Sequence, residues 1–152
     1  DINQAGFTDV SHQFPQIPTV ETKWYVKDGF RMYQLDSGEK AIGWYTVDNE
    51  SYFFDGKGHL QTEKWQLSDN YWYYLHKGGK RAKAGWLQLG NDWYYLNPSG
   101  SREKDKLSQI NGNTYLFDEN GKMQTGWKTV NKEAMFFEEN GALKEKNLKP
   151  SS

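Results

Sequence analysis

The chain has 152 residues and a formal net charge of −1, with 16% aromatic residues against only 36% hydrophobic residues in all; its mean hydropathy is −0.99. That balance excludes the basic footprint of a nucleic-acid partner or an anionic membrane surface, and no apolar run reaches the ~20 residues of a membrane span. The absence of cysteine excludes a disulfide scaffold, a thiolate metal site and a thiol nucleophile.

Residues 1–22 stand apart as a leader or linker. They contain Pro15 and Pro18 and no repeat signature, with Phe7, Val10, Phe14 and Ile17 as apolar anchors for a docked arm. The start at Asp1 without a methionine implies an upstream segment, of which a cleaved signal peptide is one form.

From Trp24 a repeat begins. Its leading positions are Trp24, Trp44, Trp65, Trp86, Leu107, Trp127 and Leu148, at spacings of 20 or 21 residues. Fourteen residues after each of the first six stands a glycine: Gly38, Gly58, Gly79, Gly100, Gly121 and Gly141. This column marks a fixed backbone bend at positive φ that redirects the chain into the next unit. Repetition at such a period indicates stacked units, here about six over residues 23–149 with a partial seventh at 148.

Each unit reads as a β-hairpin. The fourth and fifth positions after the lead are Asp28-Gly29, Asp48-Asn49, Asp69-Asn70, Gly90-Asn91, Asn111-Gly112 and Asn131-Lys132, the chemistry of two-residue hairpin turns. In the fourth unit that turn pairs Leu89 with Asp92, Gln88 with Trp93, Leu87 with Tyr94 and Trp86 with Tyr95. Strand alternation then puts Trp86, Gln88, Trp93 and Tyr95 on one face, and Leu87, Leu89, Tyr94 and Leu96 on the other. Both faces carry large apolar groups that a lone hairpin cannot bury. The expected fold is therefore all-β: a β-solenoid in which the first face of one hairpin packs on the second face of the next.

That stacking brings rings together at each junction. Trp65 and Trp72 meet Tyr94 of the following unit, and Trp86 and Trp93 meet Tyr115. The pattern alone leaves two uses for these rings, a stacking core or a set of cages. Three ring faces around a void attract a quaternary ammonium at roughly 1 kcal/mol or slightly more per ring, which gives about millimolar affinity. Several cages on one polymer would add avidity.

The run Gly-Trp, spacer, Trp-Tyr-Tyr-Leu, then Gly, plainest at Gly85–Gly100 and echoed at Lys104–Met123, resembles the choline-binding repeats of streptococcal and phage cell-wall proteins. The resemblance covers roughly Trp24 to Leu143. It implies a left-handed solenoid whose cages hold choline or phosphocholine groups of teichoic or lipoteichoic acids. It further implies attachment to the bacterial cell surface outside the cell, no cofactor, and homodimer pairing through terminal hairpins in some members. Carried over, it places choline at Trp65/Trp72/Tyr94 and at Trp86/Trp93/Tyr115, with a partial site at Trp44/Tyr73 where Ser51 replaces the second ring.

Two departures stand out. Sixteen residues after the lead, where Leu60, Met123 and Leu143 are apolar, the third and fourth units carry Arg81 and Arg102. A guanidinium there could repel choline, fill the cage by stacking on its rings, or point outward to a phosphate. Arg31 in the first unit, Leu107 and Thr114 in the fifth and Ala134 in the sixth imply no full cage at the ends.

Related aromatic repeats also bind glucans, and Trp and Tyr platforms flanked by Asn, Asp and Gln suit a saccharide too. Three converging rings favour an ammonium instead. Catalysis finds little support. His12, His59 and His76 are scattered, carboxylates such as Asp48, Asp69 and Asp118 occupy turn positions, and no nucleophile or phosphate-loop motif occurs. Twenty-two residues ahead of the repeats are too few for a catalytic domain, so the chain is expected to be a bare binding module or the binding part of a larger wall hydrolase.

Overall fold

The computed structural model of the protein describes residues 23–146; the leader and Leu148 lie outside the described residues. Thirteen strands and no helix form there. Six hairpins follow in order: β1 (Trp24–Lys27) with β2 (Phe30–Tyr33), β3 (Gly43–Val47) with β4 (Glu50–Phe54), and β5 (Lys64–Ser68) with β6 (Tyr71–Leu75). Then come β7 (Gly85–Leu89) with β8 (Asp92–Leu96), β9 (Lys106–Ile110) with β10 (Asn113–Phe117), and β11 (Gly126–Val130) with β12 (Glu133–Phe137). The last hairpin gains a third strand, β13 (Leu143–Lys146), on β12.

The register in the fourth hairpin is the expected one, with Leu87 opposite Tyr94 and Trp86 opposite Tyr95. Turn chemistry sets it. Both central residues take positive φ at Asp48-Asn49 (52° and 66°) and Asp69-Asn70 (50° and 70°). The turn at Gly90-Asn91 differs: only Gly90 is at positive φ, at 63°, as a type II′ turn with glycine first requires.

Between hairpins the chain makes a second bend. All six glycines of the column have φ between 83° and 97°. Each donates its N–H three residues back, as Gly100 does to the Asn97 carbonyl at 2.6 Å and Gly121 to Asp118 at 2.9 Å. Substitution of Gly141 is expected to be costly, because an added Cβ would overlap the Met123 side chain at φ +91°. Gly141→Ala should lower unfolding free energy by about 2–3 kcal/mol, measured by urea denaturation.

The hairpins do not join into one sheet. Adjacent units are tied by one backbone hydrogen bond from the sixteenth position of one unit to the seventh of the unit before. Leu60 donates to Arg31, Arg81 to Ser51, Arg102 to Trp72 and Met123 to Trp93, at 2.8–2.9 Å. Side chains complete the contact. The most deeply buried side chains form a column ten residues after the second to sixth leads: Phe54, Leu75, Leu96, Phe117 and Phe137 are at most 1% exposed. The two faces of the fourth hairpin are covered unequally. On the second face Tyr94 and Leu96 are buried and Leu87 and Leu89 half-buried, whereas Trp86 and Trp93 keep 36% and 37% exposure. The following hairpin covers each tryptophan pair mainly with one tyrosine ring, so a groove stays open along the first face.

Candidate functional site

Each groove is assembled by the inter-hairpin hydrogen bond just described. It holds the sixteenth residue of one unit beside the seventh residue of the unit before. The side chain at position sixteen therefore lies beside the rings, and the first four junctions differ both there (Leu60, Arg81, Arg102, Met123) and at position seven of the unit before (Arg31, Ser51, Trp72, Trp93).

At the fourth hairpin the groove is open. Trp86 in β7 stands edge-on to Tyr115 in β10 with ring centroids 4.8 Å apart, and to Trp93 in β8 at 6.4 Å. Phe117 supports Trp86 from below at 5.9 Å. The three rings and Met123 line a cavity of about 320 Å³, and Asn140 of the sixth hairpin reaches its rim. Asn140 accepts the Ala142 N–H through Oδ1 at 2.9 Å, which orients its amide group. No charged side chain lines this cavity. It can therefore receive a cation without competing for space or charge.

One junction earlier, Trp65 meets Tyr94 at 5.0 Å, and the rings of Trp65, Trp72 and Tyr94 line a cavity of about 340 Å³. Here the ring faces are in use. The guanidinium carbon of Arg102 lies 4.6 Å from the Trp65 ring centre and 5.4 Å from that of Trp72. Its stem packs on Gly121, where a side chain larger than hydrogen would overlap Cγ, Cδ and Nε. Burial holds the Arg102 pKa below its ordinary value, while Tyr94 and Asp118 act in the opposite direction. Of the three possibilities open for this arginine, stacking within the cage is the one adopted.

The partial site behaves alike. Trp44 and Tyr73 meet at 5.3 Å, and the Arg81 guanidinium carbon sits 5.0 Å and 5.2 Å from their ring centres. At the first junction Arg31 lies 4.6 Å from the Trp24 ring, with Tyr52 against the same tryptophan at 4.9 Å. An arginine thus lies on the rings at three successive junctions, from position seven at the first (Arg31) and from position sixteen at the next two (Arg81, Arg102), while the fourth has Met123 at position sixteen.

Two contributors were missed in the sequence. Asn140 enters from a third hairpin, as do Glu119 and Asn120 at the Arg102 junction; a two-hairpin view of the junction could not place them. The residues before each lead were missed as well. Where that position is glycine, Gly43, Gly85 and Gly126 take positive φ. Where it is lysine, the preceding Glu63 and Asp105 do so instead, at 53° and 57°.

The family of cell wall binding repeats of the choline-binding type matches at residues 42–60, 84–101 and 109–123. Among solved structures, choline binding protein F from Streptococcus pneumoniae is 32% identical over 82% of this chain and 42% of its own, with a TM-score of 0.74. The choline binding domain of Spr1274 in Streptococcus pneumoniae is 31% identical over 55% of this chain and 95% of that one, with a TM-score of 0.48. A multimodular pneumococcal cell wall endolysin from phage Cp-1, complexed with choline, is 26% identical over 89% of this chain and 41% of its own, with a TM-score of 0.57. The chain spans about two fifths of the length of choline binding protein F and of the endolysin. Among curated proteins none matches.

Proposed function

Because this chain belongs to the choline-binding family of cell wall repeats, we propose that it is a non-catalytic binding module for choline groups on the bacterial surface. The observation that carries this reading is the open cavity of Trp86, Trp93, Tyr115 and Met123, which has three ring walls, an apolar lid and no resident cation. A trimethylammonium head donates no hydrogen bond and is weakly hydrated, so ring faces can replace its water at little cost. Trp65/Trp72/Tyr94 has the same ring framework and Trp44/Tyr73 two of its three rings, but Arg102 and Arg81 lie over them. The reading is therefore one open choline site per chain over the described residues. Its natural ligand is the phosphocholine of teichoic or lipoteichoic acid, bound outside the cell.

A titration of intrinsic tryptophan fluorescence with choline tests this, with glycerol and a dextran oligomer as controls. A saturable response to choline at a millimolar midpoint supports the reading. A response to the dextran oligomer alone transfers the protein to the saccharide-binding class. Choline binds only the folded stack, so saturating choline should raise the thermal midpoint, with a stabilisation of about 2.7 kcal/mol at one hundred times Kd.

The number of sites is a separate expectation. Arg102→Met copies the residue found at the open junction and should raise choline stoichiometry from one to two by isothermal titration calorimetry. An unchanged stoichiometry would mean that the Trp65/Trp72/Tyr94 framework does not accept choline even when vacated.

A further inference from the structure

We propose that the two arginine-filled junctions are anion sites, in which Arg102 and, one unit earlier, Arg81 present guanidinium edges to a phosphate ester. Stacking on Trp65 and Trp72 occupies the faces of the Arg102 guanidinium and leaves its N–H edge for hydrogen bonding. That edge lacks a partner. No carboxylate of the described residues forms an ion pair with either arginine; Arg102 Nε is itself covered and without an acceptor, so its N–H groups left for a ligand are those of Nη1 and Nη2. Arg31 provides the contrast, since its Nη1 donates to the Gly78 carbonyl at 3.5 Å. Among the described residues the first junction supplies an acceptor from within the fold, whereas the next two do not.

Space and charge lie beside the unpartnered edges. The cavity at Arg102 is also lined by Lys122 and Asn120, with Glu119 as its acid; Lys122 Nζ is 3.5 Å from Asp92. The cavity at Arg81, about 150 Å³, adds Lys83 with Ser51 and Ser99. Lys83 is 3.0 Å from Glu50, so the arginine is the cation left uncompensated there. A stacked, pre-oriented guanidinium offers a phosphate two parallel charge-assisted hydrogen bonds. The same ring framework thus accepts a cation at one junction and displays one at two others. Together they match both charges of a phosphocholine polymer. Naming the anion a phosphate ester, rather than another oxyanion, rests on the choline reading above; the anion site itself rests on the arginines.

The experiment uses the full chain, labelled with ¹⁵N, and follows arginine side-chain and tryptophan indole resonances at constant ionic strength. Three probes are titrated separately: choline chloride, glycerol phosphate and sodium sulfate. Glycerol phosphate is expected to shift Arg102 and Arg81 saturably, and choline to shift the Trp86 and Trp93 indoles. Arg102→Met should weaken glycerol phosphate at that junction on the order of tenfold, and Arg102→Lys should fail to restore it fully. Unmoved arginine signals with glycerol phosphate overturn the proposal, as do equal shifts with sulfate that never saturate. Failure of choline alone would sink the ammonium reading and leave the anion site standing.

Discussion

Trp93→Ala is expected to raise the choline Kd at least about tenfold while leaving the fold intact. The expectation follows from where the ring stands. Trp93 is one of three ring walls around the open cavity and is 37% exposed. Its ring contacts Trp86 edge-on at 6.4 Å, so it contributes to the ligand cavity more than to the core. A desolvated cation over an indole is worth about 2 kcal/mol, which converts to roughly thirtyfold in affinity. The Trp93 backbone carbonyl that ties Met123 at 2.8 Å is retained in the variant. Trp72→Ala is the matched control. Its ring faces Arg102, so choline affinity should change less than about twofold. Calorimetric titration reads both, with near-ultraviolet circular dichroism reporting the fold. Equal loss in the two variants would place choline elsewhere.

Phe117→Ala should have the largest effect on stability. Phe117 is 1% exposed and belongs to the buried column, tilted against Trp86 with centroids 5.9 Å apart. Its removal leaves a cavity between the fourth and fifth hairpins, at a cost of about 3–5 kcal/mol. In a stacked protein that loss falls on one interface first. Tyr115 and Met123 belong to the fifth hairpin and wall the cage, so choline affinity should fall together with the urea midpoint. A change below about 1 kcal/mol would remove Phe117 from the core.

Much of this arrangement is legible in the residues themselves. Turn pairs such as Asp69-Asn70 fix a two-residue loop, and period-two alternation then determines which side chain faces which. The junction partners Trp65 and Tyr94, and Trp86 and Tyr115, follow from register and stacking order alone. The glycine column is legible because its bend requires positive φ. What the sequence withheld has a common cause. The position of Arg102 depends on a hydrogen bond between hairpins and on the space above Gly121, and neither has a periodic signature. Strand alternation gave both faces similar weight, but the half-open groove at Trp86 and Trp93 arises from how little one tyrosine covers. Asn140 comes from two units beyond the lead it serves, a distance at which hairpin pairing carries no information.

That reach across three hairpins sets a counting rule for how such a chain can grow. A groove needs rings from two consecutive units and a rim from a third, as Trp86, Tyr115 and Asn140 illustrate. Complete grooves therefore number two fewer than hairpins. Duplicating one 21-residue block within the gene would add one full groove, while the new block would also become rim to one neighbour and lid to another. A change at the single position that now holds Arg81, Arg102 or Met123 alters what a groove accepts, and the next block feels it too, because Arg102 packs on Gly121 and Met123 on Gly141.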